Sequence, residues 1–600
     1  MLGACKNIKR ICWCIVAMTS MTPLLCMAQS SFSALLKEKD FNLASLTDWS
    51  NKSHIIFDQP SCAYINITGI EKMPQSRKHK QEVWIEYYDE QGNYLRKRAL
   101  MSAQGNSSLA FEKKNFKVDF SVSESENSTF TIGDWVEQDG FHFKAYYTDY
   151  FRGAGCVAYK LFDLSQADRG RMWERATLSS AKANAKCYPD GFPCLVYLND
   201  EFYGIYAWQL KKDRKNMGQK KDVAEHIHLD GTFDYGSLWG DKINWTKFEV
   251  RNPKGLYCMN GQPYDGDNPQ ELIDETSAFY DMPEDNTSVK DAKRLSANVK
   301  HYVESFGKFS YYLSKMKLEG ATTSDIKDYM EERFDIISLI DCYCFSIYVN
   351  NFDGFWKNWQ WFTYDGTKWF VAPYDLDCTF GNHYSGNFII PPEWNYEGGN
   401  YSYYPTNGPI SYLTTYFWEE IKERYAELRS HEVFTPYNVY TLFEEWHERI
   451  GLTAYDMEWE RWPNSKCITT TVVNSPWITT DNWTDYGKTK DYNNETTYHA
   501  GNTCRAGYRI WTATTDCSGI YPYVQIGYTD SLQRVQNWLE QRTKIIDSFL
   551  SYSPLNSLRQ IEKPFYSSHI YNMSGQRIPH LQKGLNIVRR KKVHVTTDRR

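Results

Sequence analysis

At 600 residues the chain is too long for one ordinary hydrophobic core, and roughly two to four domains are expected. Its 42% hydrophobic and 24% charged content is that of a folded, water-soluble protein and excludes a disordered polymer. A net charge of −6 over this length argues against a nucleic-acid-binding protein, while 16% aromatic residues suit a β-rich core or a ligand-binding surface.

The chain opens on a processing signal, residues 1–28. Lys6, Lys9 and Arg10 give a basic start, Ile11 to Leu25 is apolar, and Cys26-Met27-Ala28 places cleavage after Ala28. A lipid anchor on Cys26 is the competing reading, opposed by the bulk of Leu25. No later stretch reaches the roughly eighteen apolar residues of a membrane span, so an exported chain without a transmembrane segment is expected. Removing the leader reduces fifteen cysteines to eleven. Cys187/Cys194 and Cys504/Cys517 are close enough in sequence to pair, and no CxxC…CxxC metal spacing occurs.

After a lead-in over 29–54, residues 55–229 read as a β-rich lobe. "VWIEYYDEQGNYLRKRAL" is a hairpin about Asp89-Glu90-Gln91-Gly92, and "NFKVDF", "WERATLSS" and "CLVYLNDEFYGIYAWQL" read as strands. Asp149 to Leu164 reads as helix. "RGAGCVAYK" imitates a phosphate loop but lacks the GxxxxGK[ST] form, so a loop-to-helix packing role is the better reading. Gly, Asp, Asn and Pro crowd Asp230 to Asp285, the core of a loop-rich insertion over 230–300.

Residues 301–552 then read as a helical lobe. "KDAKRLSANVKHYVESFGKFSYYLSKM" and "SDIKDYMEERFDIISLIDCYCFSIYV" carry apolar residues at three- and four-residue steps, with Ser324 expected to cap the second. Helices are expected again at Pro409 to Ser430, Pro436 to Ile450 and Asp530 to Leu550. A linker over 553–564 and a small β tail over 565–600 close the chain.

Chemistry concentrates at 350–381, "NNFDGFWKNWQWFTYDGTKWFVAPYDLDCTFG". Asp365-Gly366 signals a tight hairpin turn. A two-residue turn sets Asn358 opposite Pro373 and puts Asn358, Asp375 and Asp377 on one face, where their oxygens suit a hard cation. Asp353 stands five residues before Asn358, and this Asp-x-x-x-x-Asn spacing with a later Asp recurs in kinase catalytic loops. Lys357 is placed to neutralise phosphate charge.

These motifs resemble the CotH family of kinase-like proteins. The resemblance rests on Asn351-Phe352-Asp353-Gly354, Lys357-Asn358 and Tyr374-Asp375-Leu376-Asp377-Cys378-Thr379-Phe380-Gly381. Upstream it includes Gly105-Asn106-Ser107-Ser108, Lys113-Lys114-Asn115-Phe116-Lys117, Asp149…Arg152, Asn199…Tyr203-Gly204-Ile205-Tyr206 and "WTKFEVRNPKG". It covers roughly residues 55 to 550. It implies an α+β, atypical protein-kinase-like two-lobed fold, with a β-rich N-lobe over a helical C-lobe, that uses ATP with Mg²⁺ or Mn²⁺ to phosphorylate Ser or Thr of partner proteins. Asp353 is then the catalytic base beside Lys357, and Asn358, Asp375 and Asp377 are metal ligands. Lys114 or Lys117 contacts the phosphates, and Asp149 and Arg152 belong to the cofactor site. The family's Glu six residues after the Gly of Gly-x-Tyr is replaced here by Leu210. Residues 565–600 are similar to secretion or sorting tails of Bacteroidetes, which points to a partner at the cell envelope or surface.

Two other readings remain open at the level of sequence. A kinase-like body without catalysis would serve adhesion or assembly, in keeping with Leu210 and with the scarcity of ATP outside cells. Asp375-Leu376-Asp377 also imitates the metal-binding DxD of sugar-nucleotide transferases, although the order of the flanking motifs argues against it.

Overall fold

A computed structural model describes residues 31–553 except 40, 42–44, 177–183, 232–247, 352–353, 355–357, 387–388, 395–407, 466, 470–474, 481–484, 486, 507–508 and 523–527. Beyond these it describes short strands at 570–571, 577–578, 584–588 and 591–595. The leader and the Ser574-Gly575 turn expected in the tail lie outside the described residues. The fold is mixed α+β: a barrel-like sheet comes first and a helical region follows.

The first sheet is built from β1 (Thr47–Asp48), β3 (Ala63–Thr68), β4 (Gln81–Asp89), β5 (Asn93–Gln104), β6 (Asn115–Asp119), β8 (Gly140–Lys144), β9 (Gly191–Leu198) and β10 (Glu201–Gln209). Its order is β1-β5-β4-β3-β9-β10-β8-β6, and β6 also pairs with β5, so the sheet closes on itself. Two short strands, β2 (His54–Phe57) and β7 (Thr129–Ile132), pair in parallel beside it. Alternation decides which side chains enter the closed sheet. Val83, Ile85 and Tyr87 of β4, Phe116 and Val118 of β6, Phe141 and Phe143 of β8 and Trp208 of β10 share this core. The β4–β5 turn falls at the expected place, with Gly92 in the left-handed region at φ +82°.

The helices are α1 (Phe32–Glu38), α2 (Ala154–Gln166), α3 (Met172–Arg175), α4 (Thr287–Gly307), α5 (Phe309–Leu318), α6 (Thr323–Arg333), α7 (Ile336–Val349), α8 (Gly408–Tyr416), α9 (Trp418–Ser430), α10 (Pro436–Ile450), α11 (Leu452–Arg461) and α12 (Tyr528–Phe549). Helix α7 is the axis of a second core. Ser338 through Val349 are all buried, as its nearly uninterrupted apolar sequence requires. Its one acid, Asp341, is met by the Arg424 guanidinium at 2.8 Å. Leu195 of β9 with Ile205 and Ala207 of β10 join this core too, so these two strands are covered on both faces.

Several local expectations are corrected. "WERATLSS" begins as the short helix α3, whose Glu174 carboxylate accepts from the Arg171 N–H at 2.6 Å. Helix α6 is capped by Thr322 rather than Ser324: Thr322 Oγ1 accepts from Asp325 N–H, and the Asp325 carboxylate accepts from Thr322 N–H at 2.7 Å. The stretch read as a loop-rich insertion supplies two strands, β11 (His228–Gly231) and β12 (Phe248–Asn252). They join β13 (Trp359–Thr363) and β14 (Trp369–Pro373) in a sheet of order β12-β11-β13-β14.

A small β module with its own core of Trp477, Tyr498, Cys504, Trp511 and Cys517 lies between α11 and α12, inside the stretch expected to be helical. All eleven described cysteines are free thiols, so neither candidate disulfide forms. Cys187 sits in the helical core and Cys194 in the barrel core, which explains the first pair. The tail strands make an antiparallel four-stranded sheet.

Candidate active site

The β13–β14 hairpin opposes Trp359 to Pro373 and Thr363 to Trp369. The connection is therefore a five-residue loop, Tyr364 to Lys368, and the register is one residue off that of a two-residue turn. Asp365 is the cause. Its Oδ1 accepts from the N–H groups of Thr367 and Lys368 at 2.8 and 2.7 Å, which stabilises a wider loop.

At the other end of the hairpin the alternation lapses altogether. Tyr374 N–H donates to the Asn358 carbonyl at 2.6 Å, and Asn358 and Asp375 both take left-handed backbone, at φ +66° and +54°. Asn350, the C-cap of α7, and Phe380 do the same at +52° and +54°. Left-handed non-glycine residues are costly, and their concentration around one hairpin end is the signature of a functional site. Left-handed turns, rather than strand parity, bring the backbones of Asn358 and Asp375 to this end, with Asp377 two residues further on. Asp375 N–H donates to the Tyr159 hydroxyl of α2 at 2.9 Å, and Phe380 N–H donates to the Val349 carbonyl at 2.8 Å.

The barrel faces this end with cations. Lys117 of β6 is opposite His142 of β8, and Lys144 of β8 is opposite Ala207 of β10. Because Phe116, Phe141, Phe143 and Trp208 point into the barrel, Lys117, His142 and Lys144 point out of it. Lys144 Nζ lies 3.5 Å from Asp375 Oδ1, joining residues 231 apart in sequence. Burial works against the Lys144 charge, but Asp375, Tyr374 and Asp377 raise its pKa above the ordinary lysine value. Burial pushes the His142 pKa well below the usual histidine value, and Lys144, Lys211, Lys117 and Lys212 push the same way, so the ring stays neutral among lysines. Lys212 Nζ stands 3.9 Å over the Tyr374 ring and pairs with Asp230 at 2.6 Å.

The remaining expected residues fall elsewhere or nearby. Asp353 and Lys357 lie outside the described residues. Lys114 Nζ donates to the Leu109 and Phe111 carbonyls at 2.6 and 2.5 Å, closing its own loop between β5 and β6. Lys117 pairs with Asp119 at 2.8 Å. Asp149 Oδ2 accepts from Gly153 and Ala154 N–H at 2.7 and 2.5 Å, capping the start of α2. Arg152 is fully buried and donates to Glu458 at 2.8 Å.

That glutamate organises a feature the sequence reading missed. Glu458 of α11 bonds Lys113 at 2.7 Å, Arg152 at 2.8 Å and Ile205 N–H at 2.8 Å, all beyond solvent's reach. Burial works against the Glu458 charge, yet Lys113 and Arg152 hold its pKa below the ordinary glutamate value. Burial pulls Lys113 down to about 8. A side chain at Gly204 would come within 2.6 Å of both Glu458 and Lys113, so the Gly of Gly-x-Tyr leaves room for the pair. Leu210 itself is buried in the barrel core.

A protein-family model described as CotH kinase protein matches residues 101–546. The chain belongs to this family. Among curated proteins it has no match. Kinase membership implies ATP as cofactor, and the residues present fit that group: a row of lysines for phosphate charge faces carboxamide and carboxylate oxygens suited to a hard cation. Among the described residues no group of three or more His, Cys, Asp or Glu is placed to hold a metal, so Asn358 and phosphate oxygens would complete any such set. The CotH match ends before the tail strands.

Proposed function

We propose that this CotH kinase is an exported enzyme that transfers the γ-phosphate of ATP to Ser or Thr of a protein partner at the cell envelope or surface, using Mg²⁺ or Mn²⁺. The observation that carries the reading is the approach of Lys144 to Asp375 across the two parts of the fold. ATP would supply the phosphoryl group, and the divalent ion would neutralise its charge. Lys144 and Lys117 bind and orient phosphate oxygens. Lys114 is set aside because its ammonium is committed to its own loop, whereas Lys117 stays partly exposed in its pair with Asp119. Asn358, Asp375 and Asp377 are the metal-holding set. Asp353 orients the acceptor hydroxyl and takes its proton, with Lys357 beside it.

One feature favours a second reading, a non-catalytic adhesion or assembly protein: Leu210 stands where the family carries Glu. The buried acid of Glu458 pairs with Lys113, which is given no phosphate contact, so the catalytic reading rests on the approach of Lys144 to Asp375. Labelled-phosphate transfer by the full mature chain tests it. Asp353→Ala is expected to abolish incorporation, and incorporation equal to wild type would contradict the assignment.

A further inference from the structure

Helix α12 holds a cation that the site above does not use. Arg534 is partly buried, and its Nε and Nη2 are withdrawn from solvent with no hydrogen-bond partner. The buried arginines Arg152, Arg424 and Arg542 all donate to carboxylates or carbonyls. Among the described residues Arg534 meets the face of Tyr150, 4.8 Å from its guanidinium carbon to the ring centroid. A ring face offsets only part of the cost of burying a charge.

The acid whose charge acts on Arg534 is Asp149, and its oxygens are already taken by Phe151, Gly153 and Ala154 N–H. One turn earlier on α12, the Ser531 hydroxyl is also buried without a partner. Burial pulls the Arg534 pKa down, against the pull of Tyr150 and Asp149, as a missing anion would leave it. Two orphaned donors on adjacent turns, one of them cationic, describe half of an anion site.

The opposite wall is the chain that follows Gly381. The Tyr150 hydroxyl donates to the Gly386 carbonyl at 2.9 Å, and Trp538, one turn beyond Arg534, donates to the Ile390 carbonyl at 2.8 Å. Ser385 is thus the residue before the carbonyl that the Tyr150 hydroxyl holds, and its Oγ pairs with His383 Nδ1 at 2.8 Å. We propose that Ser531 and Arg534 form an oxyanion site that takes a phosphate group, supplied as free phosphate or as a phosphoester on Ser385. The second source rests on the kinase reading. There Ser385 Oγ bonds to the γ-phosphorus of ATP, the bond to the ADP oxygen breaks, and the hydroxyl proton passes to a carboxylate base.

Thermal melting of the full mature chain tests the site, comparing inorganic phosphate with chloride at equal ionic strength. Phosphate at tenfold excess over its dissociation constant should raise the melting temperature by about 1–2 °C in wild type. The rise should shrink in Arg534→Met and Ser531→Ala; any part that persists equally in both belongs to the Lys144 cluster. This arm contains no ATP, so its outcome is independent of the kinase reading. In the second arm the Ser385 peptide is mapped by mass after incubation with ATP. A phosphoester there, whose removal by phosphatase lowers the melting temperature of wild type but not of Arg534→Met, identifies the loop as the source. Equal phosphate shifts in wild type and Arg534→Met, with no Ser385-dependent difference, overturn the proposal. Should Arg534→Met fail to fold, Ser531→Ala decides by the same comparison.

Discussion

His228 shows how much one buried side chain can tell about pH. Its Nε2 pairs with Gln360 at 2.8 Å, and burial lowers its pKa to about 4. The folded value lies below the unfolded one of about 6.5, so the unfolded chain takes up a proton first as pH falls. Stability from this residue is therefore complete above pH 6.5 and is lost between about 6.5 and 4. His142, half-buried and ringed by lysines, works in the same direction. The denaturant midpoint should fall from pH 7 to pH 5, and His228→Asn should fall less. An equal fall in both would show that His228 is not the titrating group. At this scale the candidate acids were picked out because Asn and Asp cluster within one short segment. Lys144 was not, because "GFHFK" shows only an alternating strand. Its meaning depends on β8 lying beside β6 and β10 and facing a residue more than two hundred positions away.

Between elements, the barrel and the helical region are pinned by one carboxylate. Removing Glu458 leaves Lys113 and Arg152 buried as uncompensated charges, which typically costs about 3–5 kcal/mol. Glu458→Ala is expected to lower unfolding free energy by that amount in urea titration, and a loss under about 1 kcal/mol would mean that the cluster relaxes into solvent. Most elements were legible from periodicity, including the β4–β5 hairpin and the helices around α7. The errors have local causes. Asp365 binds two N–H groups and widens a turn that its Asp-Gly pair disguised as tight. Strands β11 and β12 are short, polar and fixed by the hairpin they join, so nothing in their own sequence announces them. The Lys113–Glu458 pair spans 345 positions, and no spacing rule reaches that far.

Taken as a whole, the molecule is held by packed cores and not by cross-links. Eleven thiols are buried, eight of them in three separate core clusters, and burial raises the pKa of many of them, Cys187 and Cys467 to about 12. Thiols kept protonated and out of solvent react slowly. The melting temperature of the mature chain should not change with added reductant, and eleven thiols should titrate after denaturation; a drop in melting temperature on reduction would reveal a disulfide. The central claim is that the lysine face of the barrel and the acidic end of the hairpin together hold ATP and a divalent ion. It is tested most directly by the melting temperature of the full mature chain with ATP and Mg²⁺, in wild type, Asp375→Ala and Lys144→Met. The account predicts a rise in wild type that needs both ligands and is lost in both variants. A rise of the same size in either variant, or none in wild type, would contradict it.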